Sequence, residues 1–420
     1  MKRVDLVTPP MAGHLHPVLG IARRLAVEPD LEVRVISTSG ALAATRACGL
    51  TGVALLDGAD ETIETVVNPP YRIGSNPRKL FRQFRAAIGL QQDFQAELLD
   101  LWRTQPPDLV IADFTMAAVG PAAVAIGAPW WTSHPSPCAI EGRSGPPAYL
   151  GGWRPGTTPL GRARDRAGRR VVRTFKGFAP RLAGVRLADV GIDRIHRPDG
   201  SEEIYSADRT FALTPEAVEY DRDLPAGVRY VGPVLLTPPG DAPSPDLDPE
   251  RRHVLVTAGT HLPWHKAALV ECVTKASADL PGVTLHVSLG GAHPSLERGV
   301  GELPPGVVVH DFIDYERDLP RFDAVVHHGG AGVLGHTLAA GLPAVVWPVD
   351  YDQFDHAVRL VDAGVAVPLR RPGDLAARIR QVLDEPSYAA AARRVAADIA
   401  RRPAVETIAD EVRARLFPAP

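Results

Sequence analysis

The chain has 420 residues, 45% hydrophobic and 23% charged, the balance of a folded protein too long for one ordinary core, so two domains are expected. Its 46 Lys and Arg against 49 Asp and Glu leave a net charge of −3, which offers no broad cationic field to a nucleic acid and argues against that partner. Three widely spaced cysteines (Cys48, Cys138, Cys272) form no metal-like pair and read as reduced thiols of a cytoplasmic protein. No run of about 18 apolar residues offers a membrane span, and the N-terminal segment carries no signal-peptide pattern.

In chain order, residues 4–8 form a short apolar run that reads as a buried parallel strand. A loop over 9–17, an amphipathic helix over 18–26 and a strand over 33–37 follow, the opening unit of a doubly wound sheet. A strand over 109–112 ends at Asp113, and another is expected over 128–132. The stretch 141–173 is rich in Gly, Pro and Arg and reads as long loops with broken helices. A strand at 210–213 and the segment 230–233 bring this half to its end. Five prolines in TPPGDAPSPDLDPERR mark residues 236–252 as an interdomain linker. The pattern then restarts, with strands over 253–257, 284–288, 307–310, 324–327 and 344–347, a helix over 266–278, and helical composition over 374–416. The fold class is therefore α/β, two facing Rossmann-like domains across a cleft, over 1–235 and 253–395, with a C-terminal helix (396–420) packing back towards the first.

The most informative stretch runs from Asp323 to Gly335, DAVVHHGGAGVLG. A strand leads into glycines and then a helix, whose free N–H groups and dipole suit a phosphate. His327 and His328 add imidazoles beside it. Gly330 to Gly335 also satisfies G-x-G-x-x-G, with Asp350 about 20 residues on, as in an NAD-dependent oxidoreductase. Against that reading, these glycines come late in their half, whereas the dinucleotide turn follows the first strand, and neither the histidines nor the polar pair Asp352-Gln353 has a role in it.

This half resembles the GT-B glycosyltransferases that use nucleoside-diphosphate sugars, in particular the bacterial branch that decorates antibiotics and other natural products. The likeness rests on HHGGAG at 327–332, AGLPAVVWP at 340–348 and DQF at 352–354, with Tyr230-Val-Gly-Pro233 before the linker. It implies that His328, Gly330, Ala331, Gly332 and Val333 hold the diphosphate, with Thr260 of the Thr257-Ala-Gly-Thr260 loop on the phosphate side. It further implies that Asp352 and Gln353 face the donor sugar, and that the base stacks on Phe312 beside the Ile313 backbone. Some relatives place a Glu on the ribose where this chain has His336. A carboxylate rewards a ribose diol, so its loss fits a dTDP donor at least as well as UDP.

In the first half, Gly13-His14-Leu15-His16-Pro17 sits between the first strand and first helix. Transfer to a hydroxyl needs a base near neutral pKa, and histidine supplies one. Asp113, at the end of a neighbouring strand, is placed to orient it. The resemblance assigns His14 as base and Asp113 as its partner, with His16 an extra histidine. Simple helix capping by His14 or Asp113 remains an alternative. Trp130, Trp131 and His134 either wall an acceptor pocket or pack; Trp264 and His265 read as surface packing. The acceptor is expected against 67–85 and 141–173.

These residues imply an inverting transfer of a sugar from a nucleotide-sugar co-substrate to a small natural product. No metal is expected: Asp350-Tyr351-Asp352 has the spacing of a metal signature but fits the sugar pair better. A non-catalytic nucleotide-sugar-binding helper is the second class of reading, and a homodimer is compatible with the sequence.

Overall fold

Strands of a parallel sheet are covered on both faces and so are apolar throughout rather than alternating, and the strand Leu109–Asp113 (LVIAD) is buried at every position. The computed structural model, which describes residues 1–73, 76–260, 263–291 and 303–418, contains two such sheets. The first consists of β1 (Lys2–Val7), β2 (Leu31–Ser37), β3 (Thr51–Ala54), β4 (Leu109–Asp113), β5 (Trp130–His134), β6 (Thr210–Ala212) and β7 (Val228–Tyr230), in the order β3-β2-β1-β4-β5-β6-β7. The second has β8 (Arg252–Thr257), β9 (Val283–Ser288), β10 (Val307–His310), β11 (Ala324–His327), β12 (Ala344–Val346) and β13 (Ala366–Pro368), in the order β10-β9-β8-β11-β12-β13. All strand pairings within both sheets are parallel.

Each sheet reverses its strand order once, between β1 and β4 and between β8 and β11. Beyond the carboxyl ends of strands at such a reversal, the loops diverge and leave a crevice, the usual ligand position in open α/β sheets. Val7 pairs with Ala112, and Thr257 with His327, so the two chains leave each reversal at one level.

The helices accompanying the first sheet are α1 (Ala12–Leu25), α2 (Leu42–Ala47), α3 (Asp60–Val67), α4 (Pro77–Thr104), α5 (Val119–Ala125) and α6 (Pro159–Ala183), and α7 (Pro263–Ser277) follows β8. Three of them correct the sequence reading. α1 starts at Ala12, not 18, and runs through Pro17, so His14 and His16 stand in its first turns and not in a loop. α4 begins at Pro77, with Asn76 accepting from the N–H groups of Arg78 and Lys79, so a long helix occupies part of the stretch 67–85, whose variable-looking sequence suggests loop. α6 replaces the broken helices expected up to 173. Thr158 caps its start, and Gly184, at φ +67, ends it. The short strands β3 and β13 were not expected, and β5 lies two residues later than 128–132.

Residues 231–251 contain no helix or strand. The segment 374–416 resolves into helices Leu375–Asp384, Pro386–Arg401 and Ala404–Leu416. The last returns to the first sheet: Ile408, Ala409 and Val412 share one buried core with Val18, Leu19 and Ala22 of α1. Arg24 clasps Glu406 at 2.7 and 2.9 Å, and Arg209 and Arg229 both reach Glu411. No helix among the described residues is long and apolar enough to cross a membrane.

Candidate active site

The two crevices face one another across a single cleft of about 550 Å³. On its first wall, α1 brings His14 to the end of β4, where its Nδ1 lies 3.1 Å from both carboxylate oxygens of Asp113. A carboxylate only accepts, so the proton resides on Nδ1 and the Nε2 lone pair is left for the cleft. Asp113 is 2% exposed and also accepts from the Thr115 N–H at 3.0 Å and hydroxyl at 2.5 Å. Burial alone would lower the His14 pKa, but the Asp113 charge and hydrogen bond outweigh it and hold the imidazole above its usual 6.5. Burial likewise pushes Asp113 up, and His14 with Thr115 bring it below the ordinary carboxylate range. The cap of α1 is Met11, without a side-chain bond, so His14 is not a capping residue.

Phe114 stacks on His14 at 5.4 Å and on His134 at 4.1 Å. His134, fully buried, is pushed down to about 3 by desolvation, and with Trp130 and Trp131 it packs behind the wall rather than lining the cleft. The apolar lining of this wall is instead Leu56, Ile63, Ile73, Leu90 and Phe94, from the α3–α4 region and its loops.

On the second wall, β11 ends at His327, and Gly329 (φ +93) turns the chain into the helix Ala331–Ala339, whose cap Gly330 carries no side-chain bond. The first N–H groups of that helix face the cleft together with His328, Gly330, Ala331, Gly332 and Val333. The His328 ring is seated between two glycines. A Cβ at Gly330 would lie 2.3 Å from its Nε2, and one at Gly259 2.9 Å from its Cε1. His327 departs from the sequence reading. It is 1% exposed, its Nδ1 accepts from the Gly329 N–H at 3.0 Å, and burial drops its pKa to about 3. It braces the turn from behind and does not reach the cleft.

Thr260, Phe312 and Ile313 line the same wall, as does Trp264, which the sequence reading left as surface packing. His265 is buried edge-on against Trp347. His336 sits one turn into the helix with its Nδ1–H donated to the Gly332 carbonyl at 2.9 Å. His16 of α1 also lines the cleft, and burial and the neighbouring His336 lower it to about 4. Tyr351, at φ +55, projects Asp350 and Asp352 from a tight corner. The Gln353 carbonyl oxygen accepts from the N–H groups of Val349 and Asp350 at 2.8 and 3.0 Å, which leaves its amide N–H groups for a ligand.

One residue escaped the sequence reading. Lys266 of α7 is 2% exposed, and its ammonium donates to the carbonyls of Leu289 (2.6 Å) and Thr260 (3.5 Å). It joins the two loops behind the cleft, and no carboxylate among the described residues forms an ion pair with it. Burial brings its pKa down to about 8. A lone lysine in an otherwise ordinary helix gives no signal in the sequence.

Residues 292–415 match the family described as erythromycin biosynthesis protein CIII-like, C-terminal domain. The elloramycin glycosyltransferase ElmGT of Streptomyces olivaceus is 29% identical over 97% of this chain and 96% of its own. The crystal structure of the glycotransferase of kitacinnamycin superposes with a TM-score of 0.76 at 21% identity, over 99% of both chains. That of the glycosyltransferase VinC in complex with dTDP gives 0.65 at 21% identity, again over 99% of each. At these identities the two structures establish the shared fold.

Proposed function

We propose that this chain, a nucleotide-sugar-dependent glycosyltransferase of the GT-B fold and of the antibiotic-tailoring branch, moves a deoxysugar from a dTDP-linked donor to a small apolar acceptor, with inversion. The observation that carries this reading is the His14–Asp113 pair facing the His328 loop and the open helix N-terminus across one cleft. In a single displacement, His14 Nε2 takes the acceptor hydroxyl proton as its oxygen attacks the anomeric carbon from the first wall. The bond to the diphosphate breaks on the side of the second wall. Asp113 stabilises the imidazolium that forms. The charge growing on the leaving diphosphate meets the N–H groups of residues 331–333 and His328. Asp352 and the Gln353 amide face the sugar hydroxyls, and Phe312 stacks on the base. VinC was crystallised with dTDP, which favours that nucleotide here together with the absence of a carboxylate at His336.

The dinucleotide alternative fares poorly. The G-x-G-x-x-G turn follows β11, the fourth strand of its half in chain order. Titration calorimetry against dTDP, UDP, GDP and NAD tests the reading: dTDP or UDP binds and NAD does not. Binding of NAD alone would overturn it. The anomeric configuration of a purified product then tests inversion.

A further inference from the structure

Behind the sugar-facing pair, three side chains of different chemistry converge. The ligand atoms of Cys138, Asp352 and His356 all lie within 4.8 Å of one another. Cys138 follows β5 in the first half, whereas Asp352 and His356 belong to the second, so the cluster closes the seam between them. Cys138 is 1% and His356 2% exposed, while Asp352 reaches the cleft and gives the cluster an entrance. His356 Nδ1 lies 2.7 Å from the Gly329 carbonyl, which can only accept. The ring proton is thereby fixed on Nδ1, and Nε2, buried and without a well-formed hydrogen bond, is turned into the cluster. A histidine that ligates a metal is held in this way, its other N–H on a backbone carbonyl. Thiolate, imidazole and carboxylate around one point, with a fourth direction open to the cleft, form a zinc-type set.

We propose that Cys138, His356 and Asp352 bind one thiophilic divalent cation of the Zn²⁺ class, which bridges the two halves and inhibits the enzyme. Bonds of about 2.0–2.3 Å require the three side chains to draw in by about 1 Å. The cation displaces the thiol proton. Binding also removes Asp352 from the sugar. The metal site stands independently of the transferase reading; only the inhibition rests on it.

The test uses the full-length protein freed of metal by chelation. One equivalent of Co²⁺ should produce a thiolate-to-cobalt charge-transfer band in the near ultraviolet, which Zn²⁺ abolishes by displacement. C138S should lose the band and bind Zn²⁺ at least ten-fold more weakly, and H356N should weaken it similarly, while C272S leaves both unchanged. In the unmodified chain, Zn²⁺ should protect Cys138 from a thiol reagent, as read by mass spectrometry, so the result does not depend on a variant folding. Absence of the band, no protection of Cys138, or unchanged Zn²⁺ affinity in folded C138S overturns the site. A metal that binds as described but leaves transfer unaffected overturns the inhibition alone.

Discussion

Gly330 leaves no space for a side chain beside His328: a single Cβ there would stand 2.3 Å from Nε2 of the imidazole. The ring cannot keep its place if even a methyl group is added. Gly330→Ala should therefore displace His328 while leaving the helix cap tolerable, because Gly330 sits at φ −67. We expect nucleoside-diphosphate affinity to fall about ten-fold, the scale of one charged hydrogen bond, with the melting temperature little changed. Wild-type affinity in this variant would remove His328 from the diphosphate site.

His14→Ala should lower turnover about 100-fold or more and leave nucleotide affinity near wild type, since base and nucleotide occupy opposite walls. The pH profile carries a sharper expectation. Asp113 holds the His14 pKa above 6.5, so the acidic limb of kcat/KM should have its midpoint above 6.5, with the rate rising as the imidazole loses its proton. Asp113→Asn removes the charge and should move that limb to lower pH while reducing the maximal rate. An acidic limb unmoved by the substitution would mean that another group is titrating.

Lys266 gives a prediction of opposite sign. Its buried ammonium forms no ion pair with a carboxylate among the described residues, and a weakly compensated buried cation favours an anion nearby. The diphosphate would occupy the cleft beyond the Thr260 carbonyl to which Lys266 donates. Burial sets its pKa near 8, so nucleotide affinity should decline as pH rises through 8, when the charge is lost. Lys266→Met should bind nucleotide more weakly and show no such decline. Equal pH dependence in both proteins, measured by calorimetry, would dismiss the effect.

Acid should unfold the protein early. His134 and His327 are pushed to about 3, and His16 and His286 to about 4, mainly by burial. His286 also stands in a chain, 2.9 Å from His253 on one side and His310 on the other, which works only if its nitrogens alternate as donor and acceptor. All four are neutral when folded and take up protons near 6.5 when unfolded. Stability is thus unaffected above about pH 7 and falls as pH drops from 6.5 towards 4, each histidine contributing up to about 1.4 kcal/mol per pH unit. Urea midpoints unchanged between pH 7 and 5 would contradict this.

The choice of nucleotide rests on His336. With a histidine in place of a ribose-binding carboxylate, dTDP should bind at least as tightly as UDP, and His336→Glu should shift preference towards UDP. The expected change is about ten-fold, from about 1.5–3 kcal/mol for a charged hydrogen bond. A wild-type protein preferring UDP ten-fold would sink the idea.

The parallel strands were legible because burial on both faces makes them continuous runs of Val, Leu and Ile, as in VLV of β8. The crevices followed from the glycine turn after β11 and the His14 segment after β1. What could not be read was carried by tertiary packing. α6 contains Gly161, Gly168, Gly177 and Pro180, and propensity alone breaks it, yet its buried seam of Asp165, Gly168 and Val172 is held in place from outside the helix. His327 and His328 look alike in sequence. One ends the strand facing inward and the other begins the turn, and the two-residue alternation of a strand was the signal that could have parted them. Cys138 and His356 are more than 200 positions apart, and no local pattern links them.

The return of the helix Ala404–Leu416 to α1 means that the chain crosses between its halves twice, at residues 231–251 and again near Arg402 and Pro403. The C-terminal half is thus topologically an insertion into the N-terminal one. During synthesis on a ribosome, the second sheet can be completed while the first still lacks the residues that cover α1. The half that begins the chain is the last to be finished, and its core lacks Ile408, Ala409 and Val412 until the final helix emerges. A stop codon shortly before Ala404 would therefore damage the beginning of the protein more than the nucleotide-binding half beside it.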